Sequence, residues 1–172
     1  MKTLLSADTP ARRAALYSML LAAALMISYA ESLLPPVIPG MKPGFANLAV
    51  MTALCYSPRG AAGVSAARVL ICAVLFGSAV SFAMSAAGAV CSFAVLLLAR
   101  SVKIRLFSWV GVSVLSALAH NAGQLIAAAF LVGNSAAFGV APLLILSSLL
   151  CGGVTGVIMN RTAPVIDKFV RA

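Results

Sequence analysis

Apolar positions along this chain run in long blocks separated by short polar or proline-rich stretches, the pattern of helices solvated by lipid. The first block covers about residues 14–34 and stops at Leu-Pro-Pro-Val-Ile-Pro-Gly, where prolines remove backbone donors and break the helix. The second, about 45–56, is short for a full crossing and ends at Ser57-Pro58-Arg59-Gly60, so it lies tilted or spans part of the bilayer. Further blocks cover about 61–76, 80–99, 107–132 and 140–160. One crossing takes roughly 20 apolar residues, so the length allows about six crossings with short connections and no soluble domain. The pattern predicts an all-α integral membrane protein, one transmembrane domain over residues 1–172, with six helices and an outer loop at 35–44.

Charge placement tests this count independently. Cytoplasmic segments retain Lys and Arg, so alternate connections should differ sharply. With the N-terminus inside, the inner segments hold Lys2, Arg12, Arg13, Arg59, Arg100, Lys103, Arg105, Arg161, Lys168 and Arg171, ten of the twelve basic residues. Lys42 falls outside, and Arg68 falls within the third span. Both ends are therefore expected in the cytoplasm, in a multi-pass protein of the cell membrane. The basic N-terminus before an apolar run resembles a secretory signal, but Glu31 and further spans follow it, so it reads as a retained first helix.

Composition narrows the function classes. With 63% hydrophobic and 9% charged residues, too little polar surface remains to solvate a globular domain. The net charge of +9 arises from basic residues set against Asp8, Glu31 and Asp167. It reflects topology and contact with anionic lipid headgroups, not nucleic-acid binding. Cys55, Cys72, Cys91 and Cys151 stand singly in apolar runs and read as small buried hydrophobes.

Polar residues are costly in lipid, so those kept within the spans are informative. Counting about 1.5 Å per residue from the helix ends places Glu31, His120 and Gln124 in the outer half, with Asn47 entering from the same side. His120 and Gln124, at i and i+4, share a helix face; Asn121 contributes to the same site or makes an interhelical contact. Lys42, in the Pro39-Gly40-Met41-Lys42-Pro43-Gly44 stretch, is part of a lid over that site or lies in a plain surface turn. Arg68, roughly 12 Å from the inner end of its helix, pairs with Glu31, binds a ligand anion, or snorkels to the inner surface. His120 is a ligand contact, a proton carrier or a satisfied packing residue. Small residues mark helix contact faces at Ala14, Ser18 and Ala22 and at Gly152 and Gly156; the spacing favours packing within the fold over a partner. The two halves of the chain show no internal repeat.

Several chemistries are absent from the sequence. It carries no G-x-x-x-x-G-K-[ST] loop, so it does not hydrolyse nucleotide by that route, and no H-E-x-x-H. Three scattered acidic residues do not hold magnesium on a diphosphate. No catalytic residue, metal site or cofactor is expected, and the chain is not expected to be an enzyme.

Glu31, the run Pro39-Gly40-Met41-Lys42-Pro43-Gly44-Phe45-Ala46-Asn47, Arg68, Ser85 to Ala89, and His120-Asn121-Ala122-Gly123-Gln124 together resemble the Gx transporter family. That family is also labelled heptaprenyl diphosphate synthase component I, and it is similar to the substrate-binding S components of energy-coupling factor vitamin transporters. The resemblance covers nearly the whole chain. It implies an S-component-like bundle that captures a small molecule from outside under its first loop. The implied site comprises Glu31, Lys42, Asn47, Arg68, His120, Asn121 and Gln124. The implied partners are a transmembrane coupling protein and two ATP-binding subunits, docked on small first-helix residues for which Ala14, Ser18 and Ala22 are the nearest match. The ligand expected is a small anionic or zwitterionic molecule, vitamin-like or an isoprenoid phosphate. Two other classes stand beside this one: an accessory membrane subunit of a prenyl diphosphate synthase, and a structural subunit of a membrane electron-transfer complex. The scattered cysteines argue against the latter.

Overall fold

A computed structural model describes residues 9–33, 44–76, 78–101, 108–133 and 135–171. Six α-helices account for almost all of them: α1 (Pro10–Ser32), α2 (Asn47–Tyr56), α3 (Pro58–Phe76), α4 (Ala79–Ser101), α5 (Trp109–Val132) and α6 (Ala141–Arg171), with a 3-10 helix, Ser135–Val140, leading into α6. Five of the helices are long and apolar enough to cross a membrane; α2 is the shorter apolar one. Large hydrophobic side chains such as Val74, Phe130 and Leu150 face outwards, an apolar exterior suited to lipid and not to water. The chain is a multi-pass membrane protein.

The helix ends show which face each one reaches. Gly60, at the start of α3, lies against the ring of Tyr17 near the start of α1. The Arg100 guanidinium, at the end of α4, donates to the Leu54 carbonyl near the end of α2, supplying a partner for a carbonyl that the last turn leaves unpaired. Asn160 of α6 donates to Ser108 at the start of α5. These contacts collect the starts of α1, α3 and α5 and the ends of α2 and α4 on one face. Arg12, Arg13, Arg59, Arg100 and Arg161 lie at the same end, the side assigned to the cytoplasm by charge.

Helix α2 has ten residues, about 15 Å of rise, half a hydrocarbon core. Of these, Asn47, Ala49, Val50, Met51, Ala53 and Leu54 are buried, so the short helix is interior and not tilted along the surface. It packs among α1, α3 and α6. Around it Val64, Leu96, Val112, Met159 and Ala163 complete the larger apolar core. A smaller cluster of Met84, Leu125, Ala128 and Leu144 joins α4, α5 and α6 further out. Because α2 starts beside His120, eleven residues into α5, it occupies the inner half of the bundle.

Glycine sets the closest helix contacts. A Cβ on Gly152 would lie 2.7 Å from the Val114 Cα, and one on Gly156 would overlap Val110, so α5 and α6 meet backbone to backbone. Gly123 does the same for α4, where its Cβ would stand 2.7 Å from the Ala87 carbonyl oxygen. The Gly152/Gly156 face thus packs within the fold. Ala14, Ser18 and Ala22 do not: all three are exposed on α1.

Helix boundaries match the apolar blocks within a few residues except at the end of α6, which continues eleven residues beyond 160. Apolar content marks where lipid ends, not where a helix must end. Met159, Ala163 and Ile166 remain buried along one face and carry α6 through Pro164.

Replacing Gly156 by Val should destabilise the bundle by about 1–3 kcal/mol, the usual cost of overpacking. Gly153→Ala, where a Cβ meets nothing within 4 Å, should be nearly neutral. Thermal unfolding in mild detergent separates the two, and equal effects would argue against close α5–α6 contact.

Candidate functional site

Above the start of α2 the long helices enclose a small polar cavity. Ser28 and Glu31 line it from α1, Arg68, Val69 and Cys72 from α3, Ser85 from α4, His120 and Gln124 from α5, and Gly44 from the backbone preceding α2. Its volume is about 20 Å³, room for roughly one or two waters.

Glu31 ties α1 to the start of α2. Its buried carboxylate accepts from the Phe45 amide. A helix beginning within the bilayer exposes unpaired N–H groups and the positive end of its dipole there, and a carboxylate answers both. Ala46, at the N-cap, supplies no side-chain acceptor, which leaves this task to the distant Glu31. Gly44 permits the approach: its φ of 93° is left-handed, and the His120 ring lies 3.5 Å from where its Cβ would be.

Arg68 projects into this cavity and is 7% exposed, so it does not snorkel to the inner surface. Its charge interacts with that of Glu31, yet its Nε has no hydrogen-bond partner. On α5, Gln124 Nε2 lies 2.9 Å from His120 Nε2. With the amide nitrogen donating, His120 Nε2 accepts and the neutral ring carries its proton on Nδ1. That nitrogen is buried with no hydrogen bond of normal geometry, although the ring also interacts with the Gly88 backbone. Gly88 makes room for the pair: a Cβ there would stand 2.9 Å from both the His120 ring and the Gln124 side chain. The cavity is therefore lined by a cation, by two residues that each bury an unpaired nitrogen, and by a helix N-terminus, with Glu31 as the opposing charge. Unpaired buried donors of this kind are costly in a finished structure and suit an acceptor that arrives from elsewhere.

Glu31, Arg68, His120 and Gln124 are brought together as their spacing suggests. Asn47 and Asn121 are not at the cavity. Asn47 Nδ2 donates to Ser116 Oγ at 2.6 Å, and Ser116 in turn donates to the Ser92 carbonyl at 3.4 Å, a polar link pinning α2 to α5 and α4. Asn121 points to α6, donating to Ser148 Oγ at 2.8 Å and to the Leu144 carbonyl at 3.3 Å. It is the interhelical contact, one position round the helix from His120. Lys42 and the proposed lid, apart from Gly44, lie outside the described residues. Ser28, Cys72 and Ser85 join the site without having been assigned to it, although Ser85 opens one of the stretches that carry the family resemblance. Ser28 was legible, standing one turn before Glu31 on the same face; the other two needed the packing of α3 on α4.

The cavity residues fall within the span matched by a family model described as heptaprenyl diphosphate synthase component I, residues 20–162. The chain belongs to this family. Membership accounts for most of the polypeptide, from the third turn of α1 to beyond the close α5–α6 contact, and includes every residue of the cavity. No curated protein and no solved structure matches the chain.

Removing one member of a buried charge pair leaves the other uncompensated, on the order of 3 kcal/mol. Glu31→Gln, which keeps an acceptor for the Phe45 amide, and Arg68→Gln should each lower the thermal midpoint. The double variant should recover much of the loss. Strictly additive losses in this cycle would show that the two charges act independently.

Proposed function

We propose that this family member is the substrate-binding subunit of an energy-coupling-factor-type uptake transporter in the cell membrane, capturing a small anionic molecule from the outer face. The observation that carries the reading is that Arg68 and His120, each with a buried nitrogen lacking a hydrogen-bond partner, line one cavity above a helix N-terminus. Donors so placed favour an anion, and the surrounding apolar helices exclude water that would weaken the contacts.

Three features support division of labour with partner subunits. The sequence lacks a nucleotide-binding loop, so work must come from another chain. Ala14, Ser18 and Ala22 form an exposed row at i, i+4 and i+8 on α1, a helix with few buried residues, and small residues permit close approach of a coupling protein. The resemblance to S components assigns docking to the same helix. In this reading the chain carries no catalytic step and no cofactor; its role is selective binding. At about 20 Å³ the cavity has room for one or two waters, so substrate binding requires it to widen.

A second reading rests on the family's description: an accessory membrane subunit of a prenyl diphosphate synthase. It leaves catalysis to a soluble partner, since three scattered acidic residues cannot hold magnesium on a diphosphate.

Native mass spectrometry of the protein purified gently from its host membrane should record a coupling protein and ATP-binding subunits, with a small anion released on denaturation. Copurification with a prenyl synthase and no released ligand would overturn the transporter reading in favour of the second.

A further inference from the structure

Helices α4, α5 and α6 close on one another wherever small residues face. The α3–α4 pair departs from this. Ala62, Ser65 and Ala66 on α3 face Ala86 and Ala89 on α4, side chains that would permit an equally close approach, yet the two helices enclose a groove of about 340 Å³. Its floor is Ser65, Val69 and Ala89, all buried, and its rim is formed by Leu70, Phe82 and Val90, all exposed on the outer surface of the bundle. The groove thus opens sideways, towards lipid, with an almost wholly apolar lining. Its volume is in the range of small-molecule sites, roughly 300–1,000 Å³.

The groove and the polar cavity share a wall. Val69 lines both. On α4, consecutive residues divide between them, Ser85 in the cavity and Ala86 in the groove. One space has donors for an anion but room at present for only one or two waters, so a head group must widen it; the other has volume but no charge. We propose that the α3–α4 groove holds the hydrocarbon chain of a single-chain amphiphile whose compact anionic head, a carboxylate or monophosphate, passes beside Val69 to Arg68 and His120.

This inference rests on the substrate-binding reading and names its substrate class. Charge complementarity selects the head: Arg68 and the unpaired His120 nitrogen supply donors to an anion and repel a cation. Volume and lining select the tail, since about 340 Å³ of apolar space between two helices suits a single hydrocarbon chain. Entry is then lateral, from the bilayer, where an amphiphile is already concentrated, and its apolar part never crosses water.

The test uses the full chain in phosphatidylcholine nanodiscs, titrated with dodecanoate, dodecyl phosphate and dodecyltrimethylammonium, with bound ligand read by native mass spectrometry. At least one of the two anions should bind, and the cation of equal chain length should bind at least about tenfold more weakly. Ala86→Trp fills the groove from a half-buried position without touching the charged residues, and should cut anion binding about tenfold or more while leaving the thermal midpoint close to that of the parent. Arg68→Gln should abolish preference for the anion. Equal binding of cation and anion, indifference to Ala86→Trp in a folded variant, or displacement of the anions by phosphatidylglycerol would overturn the proposal. The transporter reading fails separately. If coupling subunits copurify with a water-soluble ligand whose retention ignores Ala86→Trp, that reading stands and the amphiphile does not. If the anion binds as described but only a prenyl synthase copurifies, the amphiphile site stands and the transporter does not.

Discussion

A helix that begins inside a bilayer must find partners for its first amides, because lipid offers none. Helix α2 is such a helix, and the bond from the Phe45 amide to Glu31 meets that demand with a charged acceptor from another helix. Much of the remaining architecture follows. The carboxylate is buried and draws an opposite charge, supplied by Arg68 from α3. The arginine needs space among apolar helices, and the cavity above α2 provides it. Gly88 accepts the crowding that results, giving up a side chain where His120 and Gln124 stand, and Gly44 supplies the left-handed turn that leads into α2.

Beneath that site the bundle is held by hydroxyls and amides that cross between helices. Asn47 joins Ser116 and Ser92, Ser113 joins Thr155, and Asn121 joins Ser148. Such bonds are individually modest in membrane proteins, roughly 0.6 kcal/mol each. Their value lies in fixing rotation: Ser113, Ser116, His120 and Gln124 follow one face of α5, and with Ser116 bonded towards α2 and α4 and Asn121, about 100° round, bonded to α6, that face stays directed at the cavity. Long apolar side chains alone would hold α5 less specifically.

Much of this was legible in the chain. Runs of apolar residues located all six helices, and the division of Lys and Arg matched the grouping of helix ends on one face. Polar residues in the outer half of the spans picked out Glu31, His120 and Gln124, and the depth of Arg68 marked it as unusual. Direction around a helix was harder to read. Asn121 differs from His120 by one position, about 100° of rotation, and that rotation is set by contact with Ser148, a residue 27 positions away. Asn47 was assigned to the ligand because polar groups in lipid suggest function, whereas its amide bonds Ser116. The exposure of Ala14, Ser18 and Ala22 was likewise invisible to spacing, since the same small-residue pattern on α6 packs internally. The continuation of α6 past residue 160 could not be seen from hydropathy, which reports the lipid boundary alone.

The half-length of α2 has a consequence for permeation. Its outer end borders the cavity, and its inner end, joined to α3 through Ser57 alone, reaches the cytoplasmic face. What separates the cavity from the cytoplasm is therefore a plug of ten residues, about 15 Å long, not a full bilayer's depth of packed helices. The barrier there is one short helix, fixed above by Glu31 and by the Asn47–Ser116 bond, and below by the Arg100 guanidinium on the Leu54 carbonyl.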